Sequence, residues 1–261
     1  MLSAAPNSGL LLVGHGTRSS RGRDELLTTA NAVGSRMEIV VEPAFLELTE
    51  PTIDDAVTRL ADRGVRRMTV MPLLLFAAGH AKRDIPRAAE MAAAKTGIAI
   101  DRVAPPLGCH QHIIELSARR FHDAVVDRSA LTSADTCLVM VGRGSRDAEA
   151  TSEMVRFTKL RTQRTPVARA ETCFVAMAEP LFDDLLPALF DQFRAAPRCI
   201  VVQPHLLFHG ELLTRIAHDV ERIAAKSAGV DWLVSAHLGA DELLVRAVRD
   251  VAICRSNSKN L

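Results

Sequence analysis

Tyrosine is missing from this chain of 261 residues, tryptophan occurs once, and aromatic residues make up only 4% of the total. Most of the stacking platform on which proteins hold single-stranded nucleic acid is therefore absent. Nor is there a surplus of positive charge: 32 Lys and Arg stand against 31 Asp and Glu, a formal net charge of +1. Without a basic field to neutralise phosphates, no nucleic acid is expected as a partner. The five cysteines, Cys109, Cys137, Cys173, Cys199 and Cys254, contain no CxxC pair. That excludes a zinc knuckle or an iron–sulfur motif and leaves buried free thiols as the reading. No apolar run approaches the roughly 20 residues of a membrane span. The opening MLSAAPNS carries no Lys or Arg, unlike a signal or transit peptide. A soluble, cytoplasmic protein with no membrane partner is the expectation.

What is present is a core-forming chain, 48% hydrophobic and 24% charged, and a repeat. LLLVGHGTR at 10–18 matches TCLVMVGRGSR at 136–146, which sets Gly14 128 residues before Gly142. PAFLELTEP at 43–51 matches TCFVAMAEP at 172–180, PLLLFAAG at 72–79 matches PHLLFHG at 204–210, and APPLGCH at 104–110 matches SAHLGAD at 235–241. The register drifts by only a few residues over these matches. Two domains related by internal duplication follow, 1–127 and 135–261, joined by the polar stretch around Arg128 to Asp135.

Within each unit, strand-length apolar runs alternate with longer amphipathic stretches, the pattern of βαβ units on a parallel sheet. In the first half, strands are expected near 9–14, 39–46, 68–76 and 98–103, and helices near 22–36, 52–63, 84–96 and 111–126. The fold class is α/β: two tandem flavodoxin-like domains, each a four-stranded parallel sheet with helices on both faces.

Ligands of open parallel sheets bind beyond the carboxyl ends of the strands. Three metal-ligating side chains fall there. His15 directly follows the first strand, Glu47 ends the second, and His80 lies a few residues past the third. Two imidazoles and a carboxylate suit a first-row divalent metal such as Fe²⁺ or Co²⁺. Each residue alone has a blander account, His15 as a turn residue between glycines and Glu47 as a solvent-facing carboxylate. Their joint placement carries the argument. Of the other histidines, His110 has Asp241 at its repeat position and reads as a helix cap. His112, His122, His218 and His237 read as surface or helix residues. His205 and His209 sit in a strand-end loop of the second half, where they could line a cleft between the halves, with packing as the plainer role.

GHGTR at 14–18, FLE at 45–47 and AAGHAKRDIP at 77–86, in this order within a duplicated layout, resemble the two-domain sirohydrochlorin chelatases. These are the class II chelatases of siroheme and cobalamin synthesis, and the resemblance covers nearly the whole chain. It implies tandem chelatase-fold domains and a lyase activity in which Fe²⁺ or Co²⁺ enters the tetrapyrrole sirohydrochlorin as two protons leave. It also implies that His15 and His80 are the catalytic, metal-binding pair, with Glu47 as a nearby carboxylate ligand. The metal is then a substrate, and no permanently bound cofactor is expected. The second half departs from the pattern, with Arg143 at the position of His15, Ala176 at that of Glu47 and, across a gap, Glu211 at that of His80. One active and one degenerate half are implied, the latter helping to enclose the substrate.

A neutral imidazole can bind metal or accept a proton near neutral pH, so one or other of the two histidines also takes a proton. Sirohydrochlorin is a polycarboxylate, and Arg suits bidentate carboxylate binding. Arg18, Arg21 and Arg23 follow His15, while Lys82, Arg83 and Arg87 follow His80. Arg18 and Lys82 are the favoured substrate ligands, with Arg143 reaching a substrate carboxylate across the cleft. A monomer can form the whole cleft. Two rival readings remain, a non-catalytic metal or tetrapyrrole carrier and a histidine phosphatase. Histidine phosphatases resemble one another in an Arg directly before the His, and here Gly14 holds that place.

Overall fold

GLLLVG carries no polar side chain, and in the computed structural model it is buried on both sides within strand β1 (Ser8–Gly14). The structure describes residues 7–76, 81–128, 132–192, 199–227 and 229–254. Beside β1 lie β2 (Val40–Phe45), β3 (Arg67–Pro72) and β4 (Ala99–Val103), all parallel, in the order β2-β1-β3-β4. Helices α1 (Ser20–Met37), α2 (Ile53–Asp62), α3 (Ala81–Thr96) and α4 (Gln111–Val125) connect and cover them.

The second half repeats the plan. Its strands β5 (Thr136–Gly142), β6 (Arg169–Phe174), β7 (Cys199–Pro204) and β8 (Asp231–Val234) run parallel in the order β6-β5-β7-β8. They alternate with α5 (Ala148–Thr162), α6 (Phe182–Gln192), α7 (Glu211–Ala224) and α8 (Glu242–Ile253). The expected α/β class, four parallel strands to a half, is what the chain adopts.

The duplication holds at the level of single hydrogen bonds. Gly14 pairs with Phe45 and Gly142 with Phe174. Beyond them, Glu47 N–H donates to His15 O at 3.1 Å and Ala176 N–H to Arg143 O, also at 3.1 Å. At the next strand, Leu73 N–H donates to Val13 O at 2.7 Å and His205 N–H to Val141 O at 2.8 Å.

Side-chain alternation along β1 divides the core. Leu11 and Val13 face an outer cluster under α2 and α3, with Ile53, Val57, Leu60 and Ile85. Leu10 and Leu12 face a central cluster that also takes in Leu26 and Val33 of α1, Ile113 and Phe121 of α4, Met154 and Phe157 of α5, and Leu244 and Val248 of α8. Four helices, two from each half, are thus sandwiched between the sheets, and one continuous apolar core fixes the halves to each other. A third cluster lies under α6 and α7.

Helix starts follow their caps. Ser19 Oγ accepts from Gly22 N–H at 3.2 Å at the head of α1, and Thr52 and Asp55 form a capping box on α2. His110 Nδ1 accepts from His112 N–H at 3.3 Å, as Asp241 Oδ1 accepts from Leu243 N–H at 2.9 Å. The cap role expected for His110 is therefore the one it has.

Two expectations need correction. The third strand, expected over 68–76, ends at Pro72, and Leu73–Phe76 leave the ladder to line a cleft instead. An unbroken apolar run reads as strand, but here Leu73, Leu75 and Phe76 pack into the central core shared with the other half, while Leu74 packs into the outer core of its own half. Cys254, expected to be a buried thiol, is exposed, whereas Cys137, Cys173 and Cys199 are buried. Among the described residues, no helix is long and apolar enough to cross a membrane.

Candidate metal centre

Strand order reverses direction at β1, which has β2 on one side and β3 on the other, so a crevice opens beyond the carboxyl ends of β1 and β3. His15 is the first residue past β1. Gly16 follows with φ +119, and a Cβ on it would stand 1.9 Å from Glu47 O. Only glycine lets the loop after β1 press against the loop after β2 this closely. The result is a contact between His15 Nε2 and Glu47 Oε1 at 3.2 Å, with the imidazole 28% and the carboxylate 54% exposed.

This spacing suits a shared ion. Two donors each about 2.1 Å from a metal, at tetrahedral or octahedral angles, lie about 3.0 to 3.4 Å apart. His15 Nε2 and Glu47 Oε1 stand within that range, so the pair could hold one ion between them. His80, the expected third, lies outside the described residues, and among the described residues no set of three His, Cys, Asp or Glu side chains converges.

The pair borders a cleft of about 760 Å³ between the halves. Its apolar lining comes from both, with Phe45, Leu75 and Phe76 on one side and Met154, Phe174 and Phe208 on the other. Arg18 and Arg143 both line it, and both are exposed. Arg18 approaches Glu211 at only 3.9 Å, with both side chains in solvent, a pairing that solvent screens. Lys82 is held differently. Its Nζ lies 2.7 Å from Glu149 and 3.0 Å from Asp147, tying the first half to the second. Hydrogen bonds to Glu149 and Asp147 hold its ammonium pKa above the usual value. A substrate carboxylate would have to displace both carboxylates.

A second polar group at the cleft escaped sequence reasoning. Glu25 of α1 accepts from His209 N–H at 2.8 Å and from His237 Nε2 at 3.0 Å, while Ser19 Oγ lies 2.8 Å from His209 Nδ1. Burial pushes the Glu25 carboxyl up, but these hydrogen bonds outweigh it and hold the group below 4.5. Burial also pushes His237 down, against the pull of Glu25. His237, expected as a surface or helix residue, is therefore a half-buried loop residue bound to the opposite half. Gly22 permits the approach, since a Cβ there would stand 2.1 Å from His209 O. The only sequence signal for this group was the placement of His209 in a strand-end loop.

His205, for which packing was the plainer role, is packed. Its ring lies 4.0 Å from that of Phe157 and 5.6 Å from that of Phe76, and neither nitrogen has a hydrogen-bond partner among the described residues. Burial drives its pKa down to about 3, so it is neutral at any ordinary pH.

A family model described as CbiX matches residues 9–124 and, a second time, residues 137–253. The chain belongs to the CbiX family. Two curated relatives align along most of this CbiX chain. A sirohydrochlorin cobaltochelatase of Priestia megaterium is 26% identical over 88% of the chain and 74% of its own length. A sirohydrochlorin ferrochelatase of Bacillus subtilis is 27% identical over 88% and 85%. Among solved structures, SirB from Bacillus subtilis with Fe³⁺ superposes with a TM-score of 0.81 at 25% identity, covering 94% of this chain and 96% of that one. The sirohydrochlorin chelatase SirB of Bacillus subtilis subspecies spizizenii in complex with cobalt superposes at 0.74, with 26% identity and coverage of 94% and 95%. The two CbiX stretches of this chain differ at the site: Arg143 and Ala176 stand where the first half has His15 and Glu47.

Proposed function

We propose that this protein is a sirohydrochlorin chelatase, inserting Fe²⁺ or Co²⁺ into sirohydrochlorin with release of two protons, in siroheme or cobalamin synthesis. The observation that carries the reading is the 3.2 Å pair of His15 and Glu47 at the edge of a cleft with an apolar lining and arginines. The relatives' activities and the iron and cobalt in the related structures support it.

Each requirement of the reaction has a residue. A metal must be held close to the ring by donors that can release it, and an imidazole with one carboxylate oxygen meets that need without caging the ion. His15 and Glu47 fill these roles, with His80 as the further ligand implied by the resemblance. A flat macrocycle needs apolar surface, which Leu48 and Phe76 offer from the first half and Met177 and Phe208 from the second. Its carboxylates need cations at the rim, the role assigned to Arg18 and Arg143, while Lys82 serves the cleft as a tie between its walls. Because one chain supplies both walls, a monomer is sufficient. The metal comes and goes as substrate.

The test is anaerobic addition of catalytic amounts of the protein to sirohydrochlorin with Co²⁺ or Fe²⁺, followed by absorbance. Several metallated products per chain are expected. Conversion that stops at one per chain would favour the carrier reading and contradict this one.

A further inference from the structure

The geometry points to His209, from the half without metal ligands, as the base that accepts a proton from a pyrrole N–H when the metal enters. This rests on the insertion reaction proposed above and assigns a step that reaction leaves open. An imidazole nitrogen coordinating a metal has its lone pair engaged and cannot take a proton at that atom. While the ion waits on His15, the proton needs another acceptor beside the ring.

His209 lines the same cleft. Its backbone N–H is anchored on Glu25 at 2.8 Å and its Nδ1 on Ser19 Oγ at 2.8 Å. Ser19 is four residues past His15 in the sequence, so the anchor and the metal ligand share one loop. With Nδ1–H donating to Ser19 Oγ, which also accepts from Gly22 N–H, the Nε2 lone pair has no partner among the described residues. The ring is thereby oriented by a third group, as general bases are. The other cleft histidine of this half, His205, is sealed between Phe157 and Phe76 with a pKa of about 3 and cannot serve.

The step balances simply. The N–H bond breaks, its electron pair becomes the new nitrogen–metal bond, and the proton passes to His209 Nε2. The resulting imidazolium then loses the proton to solvent, and the second pyrrole proton leaves to water. Glu25 of α1 holds the His209 backbone and is itself paired with Arg21 and with His237, whose ring lies 6.3 Å from that of His209, and Glu211, two residues on in the chain, is paired with Arg18.

The experiment is steady-state insertion of Co²⁺ into sirohydrochlorin by the full-length protein and by His209→Gln, His209→Ala and Ser19→Gly. The last is a mild change at a helix N-cap. His209→Gln is expected to lose about 100-fold in kcat, with KM for both substrates and direct Co²⁺ binding within about twofold. Added imidazole should raise His209→Ala about tenfold, and Ser19→Gly should lose about tenfold in kcat with its acid limb retained. The acid limb of the wild-type kcat profile should flatten in His209→Gln. A wild-type protein that turns over beside a His209→Gln variant within about threefold of it, with the same pH profile, would overturn this step and leave the insertion reaction standing. No turnover by the wild type would overturn both.

Discussion

Acidification from about pH 7 to about pH 5 should remove about 2 kcal/mol of folding stability through His205 alone. In the unfolded chain an imidazole titrates near about 6.5, whereas the folded His205, 3% exposed between two phenylalanine rings, titrates at about 3. Because the folded value is depressed, the unfolded chain binds the extra proton throughout that interval. Stability is therefore complete above about pH 6.5 and falls by about 1.4 kcal/mol per unit below it, until the folded value is reached. The interval from about 6.5 to about 5 yields the stated loss.

The perturbation is His205→Leu. Leu73 occupies the corresponding place in the first half, where its N–H makes the same bond to the central strand, so the backbone accepts this side chain. The substitution also removes two buried ring nitrogens that lack partners among the described residues. Near neutral pH its stability should therefore match or exceed that of the wild type to within about 1 kcal/mol. Urea denaturation at several pH values measures both proteins. His110 and His237 are also depressed, but they are common to both and cancel in the difference. Glu25, held below 4.5, begins to contribute only at lower pH. Parallel stability curves for the two proteins down to about pH 5 would refute the reasoning.

Other outcomes follow from the site. Gly16→Ala places a Cβ at 1.9 Å from Glu47 O on a backbone of φ +119, so it should cost at least about 2 kcal/mol by thermal melting and slow insertion. His15→Ala should abolish insertion with little change in melting temperature, since the loop packs little of the core. Glu47→Gln should reduce insertion less than His15→Ala does, because water can replace one oxygen ligand; the reverse order in kcat would contradict the assignment. Lys82→Gln breaks the cross-cleft contacts to Asp147 and Glu149. At this exposure its stability should change by less than about 1 kcal/mol, and a raised KM for the tetrapyrrole would show that Lys82 also holds substrate.

Much of this architecture was legible because it is written locally and twice. The apolar runs ending at Gly14 and Gly142, the caps at His110 and Asp241, and the matching chain paths at Glu47 and Ala176 each depend on nearby residues. Leu73–Phe76 were misread for a different reason. Periodicity reports that a run is buried but not whether a sheet or an opposing half buries it. The cluster of Ser19, Glu25, His209 and His237 has no local signature at all, since Glu25 reads as an ordinary helix-face carboxylate until the second half is docked on α1. Similarly, only the folded chain shows that Lys82 already has two carboxylate partners.

The claim that one half holds the metal is tested most directly by equilibrium titration of the purified protein with Co²⁺. Saturation near one ion per chain is expected, with the ion lost in His15→Ala and retained in Arg143→Ala, because a permanent cation at Arg143 repels a divalent metal. Two equivalent ions per chain, or loss of the ion in Arg143→Ala, would contradict a single metal centre built on His15.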